Sequence, residues 1–240
     1  MSPERGDRPP RPFVHANCAI SVDGKLAFGG GARARLSGPE DLRRVQRLRS
    51  ECDAILVGAG TVRLDDPSLR VHWELLGQPP GRDPLRVILD ARGGLPAHAR
   101  VLDGSRPTLV AGTVGSRHDY PAGVERFRAG SDQVDLTALL AHLSQRGVRR
   151  LLVEGGARVL ASFLGSGLVD ELTVFIAPMI IGDRSAPSMV DGLRCPDEGS
   201  ALRLTLRELT SLDGGALLRL ARLADDRPGA ALNQNRSAGC

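Results

Sequence analysis

Residues 53–67 read DAILVGAGTVRLDDP: an apolar run, two glycines around one alanine, then a threonine, an arginine, two aspartates and a proline. A dinucleotide loop of the Rossmann type needs G-x-G-x-x-G/A between a strand and a helix, with an acidic residue about 20 positions later for the ribose. Here the third glycine position holds Arg63, Asp65 and Asp66 come much too soon, and Pro67 stops any long helix. The Rossmann reading fails. What remains is a buried strand over 54–58 that runs into a short polar loop.

Working outward, the chain alternates strand and helix signals. FVHANCAIS (13–21) reads as a buried strand closed by the turn dipeptide Asp23-Gly24, and runs at 85–90, 107–112 and 150–154 have the Val/Ile/Leu texture of strands covered on both faces. Ser37 is an N-cap candidate, and Pro39, Glu40 and Asp41 form a first turn that predicts a helix to about residue 51. Leu42, Val45, Leu48 and Cys52 define its apolar face, with Arg43, Arg44 and Arg47 pointing to solvent. Arg49 falls seven residues after Leu42, at the edge of that face. A guanidinium there wants an anion, either an internal carboxylate or a ligand phosphate. Further helices are expected at 135–146 and 157–165. From residue 169 two alternating strands flank Asp213-Gly214, a hairpin signal. The pattern is that of a single α/β domain, mostly parallel, finished by antiparallel C-terminal strands.

A second glycine site lies in LLVEGGARVLASFL (151–164). Gly155-Gly156 lets backbone approach a ligand, and the helix that follows offers free N–H groups to a phosphate. A plain strand-to-helix turn needs the same glycines, so spacing alone leaves both readings open. Glu154 tilts the balance, because a carboxylate closing an apolar strand sits at the rim where open α/β sheets bind ligands.

Composition narrows the class. The 240 residues carry a net charge of +4, 41% hydrophobic and 3% aromatic residues, and Lys25 is the only lysine. Scattered arginines with so few aromatics argue against nucleic-acid binding. No apolar run approaches the roughly 20 residues of a bilayer span, and MSPERGDRPPRP lacks the apolar core of a signal peptide. Cys18, Cys52, Cys195 and Cys240 form no metal-binding spacing with each other or with the five histidines, so reduced thiols, no metal and a cytoplasmic location are expected. Residues 1–11 and 224–240 read as disordered tails around a domain spanning 12–223.

Taken together, ISVDGKLA, LSGPEDLRRVQRLRSECDAILVGAGTVRLDDPSLRVH, LLVEGGARVL, GLVDELTVFIAPMIIG and APSMVDG closely resemble the pyrimidine reductases of riboflavin biosynthesis, over roughly residues 13–222. Some members are the C-terminal half of a bifunctional deaminase–reductase; others stand alone. The resemblance implies a dihydrofolate-reductase-like fold, NADPH as cofactor and a homodimer. It places Thr61 and Asp65 against NADPH, Ala19 beside the nicotinamide end, and Gly155, Gly156, Ala157, Arg158 and Val159 at the diphosphate. Arg92, just past the strand ending at Asp90, is the candidate for the 2′-phosphate on position alone. Arg49, Leu69, His72 and Glu154 fall at substrate positions, with Glu154 the candidate catalytic group. Asp66, Pro67 and Asp23 are expected to shape turns.

Bifunctional members carry lysine where this chain has Asn17, arginine where it has His72, and Ser-x-Trp where it has Arg33-Ala34-Arg35. At the first two positions the chain looks like the stand-alone branch, whose substrate is the 2,5-diaminopyrimidinone. The Arg33–Arg35 segment after GGG is a candidate flap toward the substrate phosphate. The implied reaction turns the ribosylamino group into a ribitylamino group by hydride transfer to sugar C1′. The alternatives are a reductase of the same fold for a related modified pyrimidine or pterin, and a non-catalytic NADPH-binding homologue. The phosphate anchor expected of Arg49 argues against a pterin substrate, and the intact Thr61, Asp65 and Glu154 argue against loss of catalysis.

Overall fold

A computed structural model describes residues 10–117 and 119–222. The expected tails, apart from Pro10 and Arg11, lie outside the described residues. The elements are β1 (Phe13–Ser21), α1 (Pro39–Ser50), β2 (Ala54–Gly58), α2 (Ala59–Asp65), α3 (Trp73–Leu76), β3 (Leu85–Leu89), β4 (Thr108–Gly112), β5 (Val124–Arg128), α4 (Leu136–Gln145), β6 (Arg150–Val153), α5 (Ala157–Gly165), β7 (Glu171–Ala177), β8 (Leu204–Leu212) and β9 (Gly215–Arg222). The chain contacts divide into two compact units, one built from Leu48–Leu152 and the other from Val14–Arg47 with the part from Val153 onward.

In the first unit β2, β3, β4 and β5 lie side by side and all pairs are parallel. β2 and β4 are buried at every position, as strands covered on both faces must be. Ile55, Val57, Leu69, Ile88, Val101, Val110 and Leu152 pack into one core cluster. Fully buried Arg86 on β3 is satisfied by Thr108, the carbonyls of Arg100 and Arg106, and Asp103, so it staples the 100–106 segment to the sheet.

In the second unit β1 pairs in parallel with β7, and β7, β9 and β8 follow in antiparallel order. The hairpin turns at Asp213-Gly214 with φ of 49° and 74°, the left-handed pair that a two-residue turn of the I′ type requires. A bulge between Leu206 and Glu208 adds one residue to β8. Leu36, Phe175 and Ala177 form a core with Ala19, Ala34 and Met179 packed against it.

Three expectations need correction. The buried residues of α1 are Asp41 and Gln46, whereas Leu42 is 45% exposed. Arg44 points inward: its side chain bonds the Asp41 carboxylate at 2.8 Å and Asn17 Oδ1 at 2.8 Å. Ser37 donates to Asp41 rather than capping the helix; the carboxylate of Asp213 accepts from the amides of Glu40 and Asp41 instead. The stretch LTVFIAPMIIG (172–182) carries most of β7, an internal strand. β7 lies between β1 and β9 with Leu172, Val174, Phe175 and Ala177 buried. Ile180, just after β7, is exposed, and so are Leu204, Leu206 and Leu209 on β8.

Candidate active site

The first unit presents one group of predicted residues at the C-terminal ends of its strands. Gly58 ends β2 and leads directly into α2, so Thr61 and Asp65 sit on a seven-residue helix rather than on a loop. Four residues apart, they share one face of that helix. The helix ends at Asp66, whose φ of 38° is left-handed and whose carboxylate accepts the Arg100 amide at 2.8 Å. Asp66 is therefore a turn former, as expected. Arg63 reaches the carbonyl of Gly94 at 3.2 Å and so ties α2 to the turn that carries Arg92. That turn is organised by Asp90, buried at the end of β3, which accepts from the amides of Gly94 and Leu95 and from the Tyr120 hydroxyl. The Tyr120 hydroxyl is pushed up well past its ordinary value by burial and the Asp90 charge. Arg92 itself is exposed. Arg63 and Asp90 escaped the sequence reading; an aspartate closing an apolar strand was the available signal for the second.

A further group gathers around residues 69–72 of the same unit. Leu69 has φ of 49° with its side chain 1% exposed in the core, an arrangement costly for a non-glycine residue. Its backbone, not its side chain, is thus what the segment can offer a ligand. Arg49, half-buried, donates to the carbonyl of Arg70 at 3.0 Å, which braces the chain beside Leu69. His72 Nδ1 lies 2.8 Å from Glu74 and 3.3 Å from Arg70. The structure brings Arg49, Leu69 and His72 together.

In the second unit Glu154 follows β6 and is half-buried, with Gly155-Gly156 next in the chain. Gly155 has φ of 103°, which only glycine adopts readily, and Gly156 precedes α5. No side chain caps α5, and the Val159 and Leu160 amides close its first turn onto the Gly156 carbonyl. Ala19 lies on β1 where burial begins to fall. Asp23 clamps the segment after β7: Ser21 Oγ at 2.6 Å and the amides of Ile181 and Gly182 at 3.0 and 2.8 Å all donate to it. Those bonds, the Ser21 hydroxyl first, lower its pKa to about 2. Arg33 and Arg35 are exposed, while Ala34 and Leu36 between and after them pack into the core. Among the described residues no three His, Cys, Asp or Glu side chains are grouped as a metal site, and no helix is long and apolar enough to cross a membrane.

Residues 12–218 match the family model of the RibD C-terminal domain. The chain belongs to this family. It is 42% identical over 206 residues to the 2,5-diamino-6-ribosylamino-4(3H)-pyrimidinone 5′-phosphate reductase of Methanothermobacter thermautotrophicus, covering 84% of this chain and 94% of that one. It is 39% identical over 186 residues to the riboflavin biosynthesis protein RibD of Chlamydia trachomatis, of which it spans about half: 75% of this chain and 49% of the other are covered. Among solved structures, the deaminase/5-amino-6-(5-phosphoribosylamino)uracil reductase of Thermotoga maritima superposes with a TM-score of 0.76 at 28% identity, over 89% of this chain and 57% of that one. The α/β architecture with antiparallel C-terminal strands is that of the family.

Proposed function

We propose that the chain is an NADPH-dependent reductase of riboflavin biosynthesis. It reduces the ribosylamino group of a (di)aminopyrimidinone ribosyl 5′-phosphate to the ribitylamino group in the cytoplasm. The observation that carries this reading is the junction of β6 and α5, where a half-buried carboxylate, two glycines and an uncapped helix start follow one another. A helix start without a cap suits a diphosphate, and a carboxylate beside it suits proton handling next to a reduced carbon.

The residues fit a dinucleotide. In this reading Gly155, Gly156, Ala157, Arg158 and Val159 hold the diphosphate, Thr61 and Asp65 bind through the shared face of α2, and Ala19 leaves room at the nicotinamide. Arg92, on its exposed turn, meets the 2′-phosphate. When bound, NADPH supplies the hydride. The C1′–O4′ bond of the sugar opens, hydride adds at C1′, and the product takes up one proton, which Glu154 holds or relays. Arg49 anchors the 5′-phosphate, with Leu69 and His72 flanking the substrate. The positions of Asn17 and His72, together with the 42% identity to a diaminopyrimidinone phosphate reductase, favour the diaminated substrate.

The deciding experiment is NADPH oxidation followed with the diaminated and deaminated substrates side by side. Faster turnover of the diaminated compound is expected. NADPH binding without turnover of either would leave a non-catalytic homologue.

A further inference from the structure

Unit two buries a line of polar side chains across β1 and β7. His15, Asn17 and Thr173 are 3%, 6% and 5% exposed. Parallel pairing places Asn17 beside Thr173 and His15 beside Glu171. Thr173 Oγ1 lies 2.7 Å from Asn17 Oδ1 and 3.0 Å from His15 Nε2, and Arg44 Nη2 lies 2.8 Å from the same Asn17 oxygen. Both ends are held in turn. Asp41 takes Arg44 Nε at 2.8 Å, and Glu171, forked by Arg219 at 2.8 and 2.9 Å, lies 3.7 Å from His15 Nε2.

Proton counting gives the line a direction. Arginine has only donors, so the atom of Asn17 facing Arg44 is the oxygen. The single hydroxyl proton of Thr173 is then spent on that oxygen, and His15 Nε2 must donate to Thr173. Turning the amide over would set its NH2 against the donors of the Arg44 guanidinium. The orientation of Asn17 is thus dictated by its neighbours, and its NH2 takes no part in any of these bonds. Along β1, Asn17 and Ala19 are two residues apart, so their side chains share a face roughly 7 Å apart. Ala19 is only half-buried, so that face opens toward it.

We infer that Thr173, backed by His15, and Arg44 are positioning residues that lock the Asn17 amide with its NH2 presented as a fixed hydrogen-bond donor. Its partner is an acceptor atom, a ring nitrogen or carbonyl oxygen, of the substrate heterocycle. This rests on the proposed function, which puts the reacting end of NADPH, and so the pyrimidine, next to Ala19.

Two readouts separate the lock from the function. In 15N-labelled protein the Asn17 side-chain NH2 gives one dispersed pair of resonances in wild type, broadened or averaged in Thr173→Val; an averaged pair in wild type overturns the lock whatever the enzyme reduces. In steady-state assays Thr173→Val raises KM for the pyrimidine ribosyl phosphate about tenfold with kcat and NADPH affinity within about twofold, and Thr173→Ser restores it. Asn17→Asp keeps the oxygen bonded to Arg44 and Thr173 but replaces the outward NH2 by oxygen. It folds as wild type and raises KM by about tenfold or more. A wild-type KM in Asn17→Asp, or a Thr173→Val change confined to thermal stability, overturns the proposal. A wild type that reduces no pyrimidine substrate, with the resonance pair intact, defeats the functional reading instead.

Discussion

Asp213, at the turn of the β8–β9 hairpin, accepts the Asp41 amide at 2.8 Å and so caps α1 from 172 residues away in the chain. The Glu40 amide reaches the other carboxylate oxygen at 3.2 Å. Gly38, just before the helix, leaves the space: a Cβ there would overlap the Asp213 carboxylate. An anion at a helix start also meets the favourable end of the helix dipole. Asp213→Ala is therefore expected to cost about 1 kcal/mol of stability, as loss of an N-cap does. Because α1 carries Arg44, the variant should also loosen Asn17. Denaturant unfolding measures the first effect; an unchanged midpoint would remove Asp213 from its capping role.

Asp23 gives the pH dependence. Its pKa, lowered to about 2 by Ser21, Ile181 and Gly182, lies below the ordinary aspartate value near 4. A depressed carboxyl contributes stability that is full above the unfolded pKa and is lost as pH falls through the folded one. Asp23→Asn should lower Tm at pH 7. The gap to wild type should narrow from about pH 4 and close near pH 2. Turnover should be retained if Asp23 only shapes the turn; a loss of kcat at unchanged stability would give it a part in the chemistry.

Thr61→Val and Asp65→Asn should each weaken NADPH binding by about 1–3 kcal/mol while the fold stays intact. The two side chains share a face of α2, and Val62 and Ala59, not they, are the helix's buried residues. Fluorescence titration with NADPH, paired with circular dichroism, tests this. Unfolding of either variant would make the position structural. Arg92→Ala should erode the preference for NADPH over NADH, and an unchanged ratio would leave the 2′-phosphate to another residue.

A homodimer is expected through β8. The bulge after Leu206 resets the alternation, so that Leu206 faces Leu220 and Leu209 faces Leu218 on one continuous side. Leu206 and Leu209 are 51% and 62% exposed, an apolar edge that a soluble chain ordinarily covers. Sedimentation at micromolar concentration should show a dimer for wild type and a monomer for Leu206→Glu/Leu209→Glu. A monomeric wild type would refute this.

β2, β3, β4 and β6 were legible because they are short, mostly buried Val/Ile/Leu runs, and β1 and β2 begin and end where the pattern says. The hairpin was legible because Asp213-Gly214 is one of few dipeptides that take two positive φ values. α1 was found, and Leu48 on it and Cys52 after it pack against the core as read, but its first turns bury a polar face instead of Leu42. That face is Asp41, Arg44 and Gln46, with Arg44 joined to Asn17, and a search for apolar periodicity passes over buried polar side chains. α2 is too short to show a period, and β5, VERFR, alternates charged and apolar residues at exposed positions. The motif picked out Thr61 and Asp65, which share a face of α2, and Glu154, which directly follows β6. The bonds of Arg63 to Gly94, of Tyr120 to Asp90 and of Thr173 to Asn17 join distant segments and leave no local trace.

The sharpest prediction concerns Arg49. One of its nitrogens is committed to the carbonyl of Arg70, so the side chain is braced rather than swinging in solvent. A guanidinium forks N–H groups toward a phosphate in a fixed plane, whereas lysine offers a single point charge. Arg49→Lys should keep partial activity with a raised KM. Arg49→Met preserves the apolar stem and removes the charge, which should cost about 2–4 kcal/mol in kcat/KM, the range for truncating one partner of a buried charge pair. It also strips the Arg70 carbonyl of a donor beside the left-handed Leu69, so a thermal melt must accompany the kinetics. NADPH affinity should hardly move in either variant. The control is a dephosphorylated substrate, on which wild type and Arg49→Met should perform almost equally poorly. If Arg49→Met still discriminates strongly in favour of the phosphorylated substrate, the phosphate is held elsewhere, and the exposed Arg33 and Arg35 are the next residues to replace.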